Sequence, residues 1–248
     1  MVLRSLLAMS FAAITFLFCA FAVNSGEQGV LLQEEFNDLN NWEPFHFRKE
    51  KKPSSYTIES NGDNKYLKAE SNGSASAIIY KDAFNVYEFP NVRWSWRIEN
   101  VYEKGNAKTK AGDDYPIRVY VLFEYNSEEA GFFEKATYNS LKLIYGKYPP
   151  HSSLNYVWAS EDYGKEILSS PATDRSKMFF LEEGSSNTGE WITEEINILE
   201  DYKKAFGDNP PAHATIAIMN DSDNTGEQSV SYVDHIEVYH DRFSSLRK

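Results

Sequence analysis

The chain has 248 residues, with 37 acidic against 25 basic side chains, 15% aromatic residues and one cysteine. A net charge of −12 repels nucleic acid and anionic membrane surfaces, so neither is expected as a partner. A length of this order suits one large β-sandwich or barrel, and no linker, repeat or low-complexity tract divides it.

The N-terminus carries the first signal. Arg4 precedes an uncharged apolar run over residues 5–18, and Ala20-Phe21-Ala22 offers small residues where a signal peptidase cuts. Cleavage there leaves a domain of residues 23–248, periplasmic or secreted, one charge more negative and without Cys19. The alternative is a retained anchor, since residues 5–23 nearly reach the roughly 20 apolar residues a membrane span needs. Phe18 is too large for the position before a lipoprotein cysteine. A thiol-free exported domain has no disulfide, so its core alone must stabilise it.

Along the chain, period-two alternation predicts strands. Val92, Trp94, Trp96 and Ile98 share one face, with Arg93, Ser95, Arg97 and Glu99 on the other. Val119, Val121 and Phe123 oppose Arg118, Tyr120 and Glu124, and Leu154, Tyr156 and Trp158 oppose Asn155, Val157 and Ala159. Further strands are predicted at 31–36, 56–59, 66–70, 75–81, 177–181, 215–220 and 231–239. A helix is predicted at 132–145, with Phe133, Tyr138, Leu141 and Ile144 at helical spacing and Gly146 and Pro149-Pro150 as stops. A second helix, 199–206, ends at Gly207. Two helices are too few for alternating βαβ units, and the expected fold is mainly β: a two-sheet antiparallel, jelly-roll-like sandwich with short helical excursions.

The chemistry on offer is that of carboxylates, arginines and amides. Nucleophile-elbow, phosphate-loop, dinucleotide-binding and H-E-x-x-H motifs are missing, and the histidines are scattered. Asp113-Asp114 stands at the entrance of the strand bearing Arg118 and Tyr120. These acids either cap a turn and pair with Arg118 or accept ligand hydroxyls or a cation. Asp221-Ser-Asp-Asn-Thr-Gly226 copies the first half of an EF-hand loop, but Tyr232 stands where the bidentate glutamate belongs. Asp221, Asp223 and Asn224 thus belong either to a non-EF calcium loop or to an Asn/Asp/Gly turn. In the last strand Tyr232, Asp234, Ile236 and Val238 fall on one face. This places Asp234 among apolar residues, as Glu34 is placed beside Leu32 and Phe36. Glu34, Glu35 and Asp234 are therefore candidate ligands of a structural Ca²⁺, an arrangement similar to that of jelly-roll carbohydrate-binding modules. Trp94, Trp96 and Trp158 read as core; Trp42, Tyr115 and Tyr120 are candidate sugar platforms.

With these segments in view, the chain resembles a bacterial exported family, the domain of unknown function 3047. The resemblance rests on Val92-Arg-Trp-Ser-Trp-Arg97, Lys110-Ala-Gly-Asp-Asp114 with Arg118-Val-Tyr-Val-Leu-Phe123, Asn155-Tyr-Val-Trp-Ala159, Asp201-Tyr through Phe206-Gly207, and Ile218-Met-Asn-Asp-Ser-Asp-Asn-Thr-Gly226. It implies that the family's polar positions correspond to Arg97, Asp113, Asp114, Arg118, Asn155, Asp221, Asp223 and Asn224. It carries over no activity. The expected function is a non-catalytic envelope module that binds a glycan or another polar ligand, with calcium as an optional aid. The alternatives are a carbohydrate-active enzyme using paired carboxylates and an envelope assembly factor with a protein partner.

Overall fold

The computed structural model describes residues 29–48, 50, 52–128, 130–145, 148–164 and 166–240. The expected signal segment lies outside these residues. In chain order the strands are β1 (Gly29–Glu34), β2 (Trp42–Phe45), β3 (Ser55–Asn61), β4 (Asn64–Asn72), β5 (Ala75–Tyr80), β6 (Phe84–Asn85), β7 (Asn91–Ile98) and β8 (Arg118–Phe123). Helix α1 (Phe132–Tyr145) follows, then β9 (Ser152–Ala159), β10 (Ile167–Ser170), β11 (Thr173–Glu183) and β12 (Ile192–Asn197). Helix α2 (Ile198–Phe206), β13 (His213–Asp221) and β14 (Gln228–His240) complete the described chain.

The strands form two sheets. Sheet A has the order β12-β7-β14-β4-β3, and β1 pairs with the second half of β14. Sheet B runs β10-β11-β9-β8-β13-β5-β2, with β6 on the start of β13. The expected antiparallel pairing holds except that β11 lies parallel to β9. Short β10 reverses the chain, and β11 reverses it again before docking.

Alternation places the core as the sequence implies. Val92, Trp94, Trp96 and Ile98 of β7 and Leu154, Tyr156 and Trp158 of β9 are all essentially inaccessible. Trp94 meets Tyr156 at 5.6 Å between ring centroids, and Trp96 meets Trp158 at 5.9 Å, so aromatic contacts join the sheets. Truncating a buried ring of this size to alanine costs about 3–5 kcal/mol. Helix α2 is well capped. The Asn197 side chain accepts from Glu200 N at 3.0 Å, and left-handed Gly207 (φ 74°) donates its N–H to Lys203 O. Helix α1 departs from its predicted apolar face: Tyr138 is buried, but Phe133 is 85% exposed.

The last strand corrects another expectation. His235 adopts φ 50°, and the β14–β7 register shifts between Asp234 and Glu237. This bulge inverts the alternation. Ser229, Ser231 and Val233 face inward before it, and Ile236 and Val238 after it. Tyr232 and Asp234 therefore lie on the outer face of sheet A, not in the core row.

Candidate binding groove and its acidic neighbour

The outer face of sheet B is hollowed by small residues. Across β2, β5, β13 and β8, one row reads Phe45, Ala77, Met219, Arg118 and the next Glu43, Ile79, Ala217, Tyr120. Ala77 and Ala217 lack the side chains that would fill the middle of these rows. The result is a groove of about 750 Å³. Phe45 and Phe47 wall one side, in edge-to-face contact at 5.1 Å. Tyr125, Tyr148 and Pro149 wall the other, and Tyr120 lies in the floor. His46, Arg48, Glu124 and Thr215 add polar groups. The Tyr125 wall is braced from behind, because its ring stacks on Tyr138 of α1 at 3.7 Å, nearly parallel. Arg175 Nη1 donates to Tyr138 Oη at 2.7 Å.

The Tyr120–Arg118 side of the groove adjoins the acidic cluster. The turn before β8 is tight: Asn106 N donates to Gly112 O at 2.7 Å, and a Cβ on Gly112 would come within 2.5 Å of Asn106 N. It delivers Asp113 and Asp114 beside the end of β13. Arg118 Nε donates to Asp221 Oδ1 at 2.9 Å, and Nη2 donates both to Asp221 Oδ2 and, at 2.7 Å, to the Asp113 carbonyl. Arg118 Nη1 reaches Asp113 Oδ1 at 3.4 Å and Tyr120 Oη at 3.5 Å, and the guanidinium covers the Tyr115 ring at 4.3 Å. Asp114 holds the opposite loop, accepting from Asn224 Nδ2 at 2.9 Å and Thr225 N at 2.6 Å. Gly226 (φ 70°) donates to Ser222 O and closes that loop as a turn. Asp113, Asp114, Arg118, Tyr120, Asp221, Asp223 and Asn224 are thus gathered at one corner of the sandwich, where β8 pairs with β13.

Burial pushes Asp221 well above the usual carboxylate range against the pull of Arg118, with Asp114 and Asp113 adding to the rise. Burial raises Asp113 as well, and burial with Asp114 raises Asp223. Arg118 stays charged: burial opposes its protonation, but Asp221, Tyr120 and Asp113 outweigh it. Carboxyl oxygens of Asp114, Asp221 and Asp223 lie within 4.8 Å of one another, a cation-sized spacing. The fit to calcium is nevertheless poor. Both oxygens of Asp221 are engaged by Arg118 and both of Asp114 by loop amides, whereas calcium needs six to eight oxygen ligands.

Asn155 is fully buried on the same outward face, between Tyr120 of β8 and Met178 of β11. Neither its Oδ1 nor its Nδ2 has a hydrogen-bonding partner among the described residues. Arg97 does not join this group; it stands on the outer face of sheet A against Tyr232.

The three acids expected around a metal do not form a cluster. Glu34 is buried beside Phe36 as expected, but it accepts from Phe36 N at 2.7 Å and Trp42 Nε1 at 3.1 Å. Glu35 contacts His235 at 2.9 Å, and the His235 bulge turns Asp234 outward, to Asn64 Nδ2 at 3.0 Å. Among the described residues the one group of three or more metal-type ligands is the Asp114, Asp221 and Asp223 trio. Trp42 and Tyr115, expected as platforms, are instead 5% and 2% exposed: Trp42 stacks on Phe36, and Tyr115 lies under Arg118. Tyr120 does line the groove. Phe45, Phe47, Tyr125 and Tyr148 escaped the sequence reading. The Phe45-His-Phe47 alternation was the available signal for the first pair.

The architecture is that of a two-sheet β-sandwich with a ligand-sized groove on the outer face of one sheet. The chain belongs to the family described as "Protein of unknown function (DUF3047)", whose model matches residues 40–237. No curated protein matches it. Among solved structures it is similar to the family 11 carbohydrate-binding module of Clostridium thermocellum, at 12% identity and TM-score 0.39, covering 85% of this chain and 94% of that one. The family 30 module of a C. thermocellum cellulosomal cellulase gives 10% identity and TM-score 0.41, with coverages of 86% and 99%. The K1 cleaved adhesin domain of Lys-gingipain from Porphyromonas gingivalis gives 9% and 0.38, with 85% and 98%.

Proposed function

We propose that the protein is an exported, non-catalytic module that binds a glycan in the groove over sheet B. The observation that carries this reading is the groove itself: five aromatic side chains and two floor alanines form a preshaped apolar trough with polar groups around it. Sugar rings present apolar C–H faces to aromatic rings and hydroxyls to side chains such as Glu124, Arg48 and Thr215. Glu124 is the one carboxylate among the residues lining the trough. Glycoside hydrolysis ordinarily needs a pair, which favours binding over catalysis. A calcium ion at Asp114, Asp221 and Asp223 would have to displace Arg118 and the loop amides, so binding is expected to be insensitive to chelation.

The test is a glycan array probed with the purified chain, with and without chelator, followed by calorimetry on any hit. Tyr148→Ala is expected to weaken that hit about tenfold, the ratio made by 1.4 kcal/mol. A blank array, or a hit that Tyr148→Ala and Phe47→Ala both leave unchanged, overturns the reading.

A further inference from the structure

The outer face of sheet A, on the far side of the sandwich from the groove, carries a second arrangement of exposed aromatic and polar groups. Trp191, 38% exposed, precedes β12 and reaches across the sheet to Tyr66 at 5.5 Å and Tyr232 at 6.3 Å between centroids. Tyr66 and Tyr232 meet edge to face at 5.5 Å. The Arg97 guanidinium stacks on Tyr232 at 4.3 Å and on Trp191 at 5.5 Å, and Glu99 holds it by a 2.9 Å ion pair. A cation packed against two rings fixes their positions, so the platform is set before any ligand arrives. Beside it run the Ser95–Thr193 hydroxyl pair and Asp234 with Asn64, groups that match sugar hydroxyls.

We propose that this face is a second carbohydrate subsite, where the exposed face of Trp191 stacks on a pyranose ring of a neutral polysaccharide. Charge selects the class. Lys68 is taken by Glu59 and Glu70, Arg97 by Glu99, and Asp234 adds a further negative charge. Among the described residues the patch thus has no spare cation for a uronate or phosphate, and its acids repel both. The inference rests on the groove reading for its ligand class, but it uses none of the groove's residues. Two subsites on opposite faces let one molecule bridge two glycan chains and raise its avidity for a polymer.

Fluorescence isolates this subsite. Of the five tryptophans, Trp42, Trp94, Trp96 and Trp158 are at most 5% exposed, so acrylamide quenching reports chiefly on Trp191. No tryptophan lines the groove. The probes are cellohexaose, mannohexaose and xylohexaose, with hexagalacturonate as the anionic control. At least one neutral hexasaccharide is expected to lower the quenching constant about twofold, in the native chain and in Tyr148→Ala alike. Trp191→Ala is expected to weaken its binding about tenfold, and Trp191→Tyr to recover part of the loss. Calorimetric binding without protection of Trp191 overturns this proposal and leaves the groove reading standing. Protection that persists in Tyr148→Ala while no binding depends on the groove does the reverse. A Trp191→Ala protein that melts lower but binds unchanged makes the aromatic cluster mere sheet cover and overturns the proposal, as does equal protection by hexagalacturonate. Absence of binding by either method to every probe overturns it outright.

Discussion

Replacing Glu194 with glutamine is expected to stabilise the protein above neutral pH and to change little near pH 4. Glu194 sits on edge strand β12 opposite Trp94, its side chain in the inward row with Ile192 and Ile196. A register shift in β11 brings Glu182 opposite Trp158, at the same lateral edge of the sandwich. Burial, with the Glu182 carboxylate nearby, pushes Glu194 up to about 7. Glu194 Oε1 and the indole nitrogens of Trp94 and Trp96 are buried without hydrogen-bonding partners among the described residues. Between 4.5 and about 7 the folded chain holds a proton that the unfolded chain has released. Stability contributed by this group is therefore present at low pH and lost as pH rises through that window. The full difference at 1.36 kcal/mol per pH unit is about 3 kcal/mol. Glu194 is only half-buried, and solvent screening reduces this to about 1–2 kcal/mol. Urea unfolding of both proteins at pH 4.5, 6 and 8 measures it directly. A difference that stays constant across the three pH values, or one that favours the native chain at pH 8, refutes the argument.

The remaining predictions concern the groove's surroundings. Arg118→Met strips both oxygens of buried Asp221 of their Arg118 hydrogen bonds and is expected to cost about 3–5 kcal/mol at a pH high enough to ionise Asp221, and less at neutral pH; adding Asp221→Asn should recover most of the loss. Equal unfolding midpoints for the single and double variants would show that the pair is not what holds this corner. Asn155→Leu removes two unpartnered amide atoms at similar volume and is expected to stabilise by about 1 kcal/mol in thermal or urea unfolding. A loss of that size would instead reveal a hydrogen-bonding partner for the amide.

Much of the sandwich was legible because burial imposes a period of two on a strand. β7, β8 and β9 carry that period in unbroken form, and their inward rows are the predicted ones. The short strands β2, β6, β10 and β12 were missed; two to six residues at an edge or start of a sheet give too little alternation to register. The Asp113–Arg118–Asp221 cluster was legible in its members, because acids and turn residues mark strand ends. Its convergence depends on β8 and β13 pairing across about a hundred residues, which no local pattern encodes. The groove was harder still. Its hollow comes from Ala77 and Ala217, two ordinary residues whose meaning appears only when distant strands lie side by side. Asp234 was misplaced because one histidine takes a left-handed backbone, which no neighbouring glycine announces.

The pairing of the first and last described strands has a mechanical consequence. Gly29 lies opposite His240 and Glu34 opposite Ile236, so β1 and β14 run antiparallel with their outer ends together. Tension applied across those ends would load the ladder one hydrogen bond at a time, as a zipper, rather than all at once in shear. β1 would peel first, at low force, and the peel would reach the His235 bulge and the Glu34–Trp42 hydrogen bond together. Beyond that point β14 is clamped between β4 and β7. The sandwich can thus yield a short extensible leader under load while both of its outer faces stay in place.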